Sequence, residues 1–210
     1  MIKQVADIQT FKQKALQWAS GFDAVCYLDS NGFRNKYSKF ETLIAVGIKA
    51  DITANTGNAF EQLTQFRHQH PEWVTGFFGY DLKNEVENLS SSNVAHLHFP
   101  DLYFFAPQYV LIINDNIVEI IADDEKAVFN IIENQGLKAL DPANPIKLQS
   151  RFGKSEYIEA VKKIQNHITR GDIYVTNFCQ EFFCGRRRHR SIECLSSTQS
   201  NLPKSICFIF

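Results

Sequence analysis

Four residues near the C-terminus have types and spacing that could do chemistry. Cys179, Cys184, His189 and Cys194 follow C-x4-C-x4-H-x4-C, interleaved with Arg186, Arg187, Arg188 and Arg190. Thiolates and imidazole are zinc ligands, and arginines contact phosphates, so the stretch raises a zinc-knuckle-like nucleic-acid module. The spacing argues against it. A knuckle needs a tight first turn, normally C-x2-C, to bring two thiolates onto one tetrahedral ion. No aromatic stacking residues lie beside the arginines. His68, His70, His96 and His98 form two i,i+2 pairs with no thiol or carboxylate cluster nearby, and read as surface or loop residues. Gly76, Gly79 and Tyr80 imitate a glycine-rich phosphate loop, but no helix start follows them; the glycines fit tight strand packing better.

The elements that must position these residues are legible in the hydrophobic periodicity. Ile8, Phe11, Ala15, Leu16 and Ala19 fall at helical spacing behind Asp7, a candidate N-cap. "FDAVCYLDS" is a strand run ending in Asn31-Gly32, a turn signal. "YSKFETLIAVGIKA" predicts a second strand, and "GNAFEQLTQFRHQH" an amphipathic helix stopped by Pro71. "LYFFAPQYVLIINDNIVEIIA" predicts a hairpin about "NDN", followed by a capped helix in "DDEKAVFNIIEN". "GLKALDPANPIKLQS" is the best candidate boundary. Beyond it "KSEYIEAVKKIQNHITRGD" predicts a long helix with a Tyr157, Val161, Ile164, Ile168 stripe and Gly171 as C-cap. "IYVTNFCQEFF" predicts a strand, with Cys26 and Cys179 as small buried hydrophobes. Hairpins mixed with helices give an α+β class.

The bulk numbers set limits. The 210 residues carry a net charge of -1, so no whole-molecule basic field for nucleic acid exists. Charge is unevenly placed: residues 184–210 hold five basic side chains and one acidic, whereas residues 1–183 hold 17 basic and 22 acidic. No apolar run approaches a membrane span, no signal peptide is evident, and five cysteines make no disulfide framework. The expected location is the cytoplasm, with no membrane or nucleic-acid partner.

The segment "EYIEAVKKIQNHITRGDIYVTNFCQEF" resembles the opening of the chorismate-binding domain of chorismate-utilising enzymes. That family includes anthranilate synthase component I and aminodeoxychorismate synthase component I. "GFFGYDL" (Gly76 to Leu82) and "FPDLYFFAPQYVLI" look like landmarks of the N-terminal subdomain of the same proteins, and the resemblance covers about residues 20 to 183. "NFCQEF" and "GYDLKNE" lean towards the aminodeoxychorismate branch. The resemblance implies an α+β fold, the N-terminal part of an anthranilate synthase component I-like α/β sandwich with largely antiparallel sheets, here incomplete. Three stretches are expected: an N-terminal subdomain over 1–150, the start of the chorismate-binding domain over 151–183, and an aberrant tail over 184–210.

The same resemblance implies chorismate as substrate and a glutamine amidotransferase partner supplying ammonia. It also implies Mg²⁺ held by acidic residues in the full-length enzyme and a nucleophilic lysine in a Pro-Ile-Lys-Gly-Thr motif. "YLDSN" followed by "YSKFE" resembles the family's aromatic-amino-acid pocket, usually for tryptophan. Ser30, Tyr37, Lys39 and Phe40 would form it: a hydroxyl, an aromatic wall and a cation for the ligand carboxylate. Gly171, Asp172 and Gln180 match landmarks of the chorismate domain, without an assigned chemical role. No Pro-Ile-Lys-Gly-Thr motif follows; Pro145-Ile146-Lys147 imitates half of it but reads as linker. The 210-residue chain is therefore expected to be inactive alone, to bind no Mg²⁺, and to aggregate through unpaired apolar strands. The resemblance stops after Phe183, where the charge balance also changes. A one-base shift lets residues 184–210 back-translate into a capped amphipathic helix and a new apolar run, so a frameshift accounts for the tail.

Overall fold

A computed structural model describes residues 1–34, 36–90, 98–138 and 148–183, together with the strand at 207–209. Two compact units divide the chain, one containing Met1–Leu140 and the C-terminal strand, the other Asp141–Arg190.

In the first unit β1 (Ile2–Gln4) precedes helix α1 (Ile8–Ala19), strand β2 (Val25–Asp29) and the long strand β3 (Thr42–Ala54). Helix α2 (Ala59–Gln69), strand β4 (Thr75–Phe78), a 3-10 turn (Tyr80–Leu82) and short helix α3 (Lys83–Val86) follow. Strands β5 (Leu102–Asn114) and β6 (Ile117–Ile121) form the expected hairpin, and helix α4 (Glu125–Asn134) closes the run. Asp7 and Asp124 accept from the amides of Thr10 and Ala127, so the predicted Asp7 cap stands and the helix predicted in "DDEKAVFNIIEN" is capped by its second aspartate. One sheet runs β1-β6-β5-β3-β2-β9, where β9 is Cys207–Ile209, and β4 also pairs with β5. Every pairing is antiparallel. The α+β class with antiparallel sheets is thus the observed one.

The spine is the β3–β5 ladder, which joins Thr42 to Ile113 at one end and Ala54 to Leu102 at the other. Midway the register shifts: Ile48 faces Pro107, and Ala50 faces Ala106, leaving Lys49 unpaired. A bulge is where a proline, lacking an N–H, can sit inside a sheet. On one face α1 and α4 lay Phe11, Ala15, Val128 and Ile132 over Ile44, Val46, Leu111, Ile113 and Ile120, all buried. Burying each large aliphatic side chain there contributes roughly 1.5–3 kcal/mol. The opposite face gathers Cys26, Leu43, Ala45, Phe105 and Val110. Towards the far end, α2 sets Ala59 and Leu63 against Ala54, Leu102 and Phe104.

The predicted second strand starts later than its sequence limit. Tyr37 to Glu41 lie outside the ladder, and β3 instead runs on to Ala54. The four ladder partners of that extension lie at Leu102, Tyr103, Phe104 and Phe105, in a segment no local pattern links to it.

In the second unit β7 (Gln149–Ser150) pairs with β8 (Phe182–Phe183), flanking helix α5 (Lys154–Arg170). Glu156 reaches back to the Gly153 amide at 2.7 Å, and Gly171 ends the helix in a left-handed conformation at φ 83, as a C-cap glycine does. Two expectations fail here. "IYVTNFCQEFF" is not a strand: only Phe182 and Phe183 join a ladder, and Tyr174 is 94% exposed. An extended apolar run becomes a strand only when a neighbour takes its backbone hydrogen bonds, and no described strand pairs with 173–181. Cys179, expected inside that strand, is accordingly exposed, whereas Cys26 is fully buried. Among the described residues no helix is long and apolar enough to cross a membrane.

Candidate functional site

Strands β2 and β3 end side by side at Asp29 and Thr42, and the segment between them carries Ser30, Tyr37, Lys39 and Phe40. The Ser30 amide donates to the Glu41 carbonyl at 2.8 Å, which sets Ser30 opposite Glu41 and next to Phe40 at the mouth of the hairpin. Phe40 packs on the Cys26–Leu43–Val110 face with Leu28 and Ile112. Tyr37 is 77% exposed, with the Lys36 ammonium 4.9 Å from its ring centroid. Lys39 is exposed, and its carbonyl accepts from Asn114 Nδ2 at 3.4 Å. Asn31 and Gly32 both take left-handed φ values, 47 and 76, as the turn signal requires. Ser30 and Phe40 therefore share one end of the sheet, while Tyr37 stands out in solvent.

Beneath this mouth lies a polar group that sequence patterning did not single out. Asp29 is 8% exposed on an otherwise apolar strand. Its Oδ2 accepts from the Tyr27 hydroxyl and the Thr42 hydroxyl, each at 3.0 Å, and lies 3.7 Å from Lys12 Nζ. Its Oδ1 accepts from the Asn31 amide at 2.6 Å. A buried carboxylate is tolerated only when its lone pairs are filled in this way. The acid at a buried alternation position of "VCYLD" was the available signal.

"GFFGYDL" forms β4 and the 3-10 turn. A Cβ on Gly76 would lie 2.0 Å from the Tyr103 carbonyl oxygen, so the strands approach more closely than any side chain permits. That geometry fits the strand-packing reading of the glycines. Glu85, just past the turn, caps α2: its carboxylate accepts from the amides of Gly57 and Ala59, each at 2.7 Å, and of Phe60. Those bonds, the one from Ala59 foremost, hold its carboxyl below the usual range. Burial pushes the Cys26 thiol up, away from reactivity at neutral pH.

In the second unit the landmark residues have structural partners. Asp172 accepts from or pairs with His167 Nδ1 at 2.7 Å, and its amide donates to the His167 carbonyl at 3.0 Å. Gln180 Nε2 donates to the Phe152 carbonyl at 3.1 Å, tying the segment after α5 to the one before it. Phe178 meets Tyr157 and Phe152 at ring distances of 5.2 and 6.0 Å. Among the described residues no three His, Cys, Asp or Glu side chains converge as a metal site. His70 Nδ1 lies 3.5 Å from Glu72, and His98 takes a left-handed φ of 53. Pro145 to Lys147, His96, Cys184, His189 and Cys194 lie outside the described residues.

Comparison with known proteins gives two findings. Anthranilate synthase component 1 of Thermus thermophilus is 30% identical over 114 residues, which cover 48% of this chain and 25% of that protein. The chain spans about a quarter of the length of the curated relative it matches. The profile of chorismate binding enzymes matches residues 23–210, running on through 184–210 past the last motif read from the sequence. The match spans most of the molecule, from the strand below the hairpin mouth onward, and the chain belongs to the chorismate binding enzyme family.

Proposed function

We propose that this chain is the N-terminal portion of a component I that aminates chorismate, of the aminodeoxychorismate branch. The observation that carries this is that "YLDSN", "GFFGYDL" and "GDIYVTNFCQEF", the stretches that resemble such proteins, all fall within the family match over residues 23–210. The variants "GYDLKNE" and "NFCQEF" support that branch. In this reading the product is 4-amino-4-deoxychorismate, with ammonia delivered by a glutamine amidotransferase and Mg²⁺ held by residues beyond those described. Ser30, Tyr37, Lys39 and Phe40 form an aromatic-amino-acid pocket, with tryptophan as the favoured ligand. A second reading, an anthranilate synthase component I fragment, is favoured by the 30% identity to the Thermus thermophilus protein.

The chain is inactive alone in this proposal. Support comes from α5 and the segment after it, which bury no side chain and leave Ile173, Tyr174, Val175 and Phe182 in solvent. An assay of the purified chain with chorismate, ammonium and Mg²⁺ is expected to show no loss of chorismate; measurable turnover overturns the inactivity. The branch and the tail are tested on the DNA. After codon 183 the next frame is expected to encode a helix followed by a strand and, further on, Pro-Ile-Lys-Gly-Thr. A prompt stop or unrelated residues refute the frameshift. Enzyme expressed from the restored frame should release aminodeoxychorismate; anthranilate with pyruvate would select the second reading.

A further inference from the structure

The segment from Ser30 to Glu41 leaves the sheet for a dozen residues, and its return is held from a distant part of the chain. The turn between β5 and β6 supplies the hold. Asn114 uses both ends of its amide: Oδ1 accepts from the Glu41 N–H at 3.0 Å, and Nδ2 donates to the Lys39 carbonyl at 3.4 Å. The next residue, Asp115, sits at a left-handed φ of 49 and turns its own N–H onto Glu41 Oε2 at 3.0 Å. Its carboxylate accepts from Arg34 Nη2 at 2.6 Å, and the same guanidinium pairs with Glu41. Arg34, Lys39 and Glu41 are thus tied to two consecutive residues more than seventy positions away. Local turn bonds, Phe33 N–H to the Ser30 carbonyl and Asn31 N–H to Asp29, fix the opposite end, and the Ser30 amide joins the two ends at the Glu41 carbonyl.

We propose that the β5–β6 turn is the clamp that positions the amino-acid pocket, with Asn114 as its positioning residue. This rests on the pocket reading above. Asn114 is exposed and belongs to none of the core clusters, so its amide serves the placement of Lys39 rather than the core. Free of it, the Lys39 backbone samples many conformations and the ammonium meets a ligand carboxylate less often.

The test is calorimetric titration of L-tryptophan into the full chain, with thermal melts alongside, for the parent, S30A, N114A and N114D. Tryptophan binding to the parent, lost in S30A, establishes the pocket. N114A should then bind about five- to tenfold more weakly, the worth of one exposed hydrogen bond, with its melting temperature unchanged. N114D keeps the acceptor for the Glu41 amide but loses the donor to the Lys39 carbonyl, and should bind no better than N114A. Parent-like affinity in N114A, with S30A still impaired, overturns the clamp and leaves the pocket standing. A fall in melting temperature matching the loss of affinity, or parent-like affinity in N114D, also overturns it, the first by making Asn114 merely structural and the second by making the Lys39 bond idle. Absence of tryptophan binding by the parent removes the pocket reading, and the clamp with it.

Discussion

Helices α4 and α5 are written in the same local language and end in different circumstances. Both are amphipathic, both place a glutamate in the first turn, and both have a satisfied N-terminus. The shorter one, ten residues, buries Val128 and Ile132 against the sheet; the longer one, 17 residues, buries nothing completely. Tyr157, Val161 and Ile164 on α5 are half-covered, partly by Phe178, while Ile158 and Ile168 remain exposed. Periodicity and capping decide that a helix forms, but a second surface decides whether it is held. The first unit draws its stability from burial, the second from caps and short-range polar bonds.

The sharpest test of that contrast truncates one apolar side chain in each unit. Leu111→Ala, fully buried under α1 and α4, is expected to cost about 3 kcal/mol. Ile164→Ala on α5 should cost about 1 kcal/mol or less. Urea melts followed by far-UV circular dichroism measure both, and equal losses would break the comparison. Next in size is Gly76→Ala. The added methyl meets the Tyr103 carbonyl, so β4 must move off β5, at about 2 kcal/mol. Hydrogen exchange should rise over residues 75–78 while α5 amides keep their parent rates.

The smallest effect is titratable. Because Glu85 has a lowered folded pKa, its contribution is fully present above the ordinary value of 4.5 and is lost as pH falls through the folded one. The parent should therefore lose melting temperature below about pH 4.5 more steeply than E85Q, which starts a few degrees lower and responds less. Parallel pH profiles would remove Glu85 from the capping of α2.

Much of the first unit was legible because its signals are local. Asp7 and Asp124 cap helices where their type requires, and "NDN" turns the hairpin; in the second unit Gly171 does the same for α5. What was illegible depends on partners distant in the chain. "IYVTNFCQEFF" has strand composition but no described neighbour to pair with, and so Cys179 is exposed rather than buried. The three-residue β1, "IKQ", carries no period at all and exists because Ile117 to Glu119 offer it an edge. The bulge at Lys49 follows from the meeting of two strands, and neither sequence alone announces it. Of the pocket candidates, Ser30 and Phe40 converge at the hairpin mouth, whereas the Asn114 and Asp29 contacts around them join segments that no pattern connects.

The central ladder also sets a clock. Ala54 must find Leu102 and Thr42 must find Ile113, so the chain closes loops of about 50 to 70 residues before the sheet has a spine. At roughly 5–20 residues per second of synthesis, β3 waits several seconds for β5 to leave the ribosome. Zipping is expected to start at the Ala54–Leu102 end, where the loop is shorter, and to stall at the Lys49 irregularity. During that interval "TLIAVGIKA" has β2 on one side and an open apolar edge on the other, and holding that edge apart from other nascent chains is the task this topology hands to the cell.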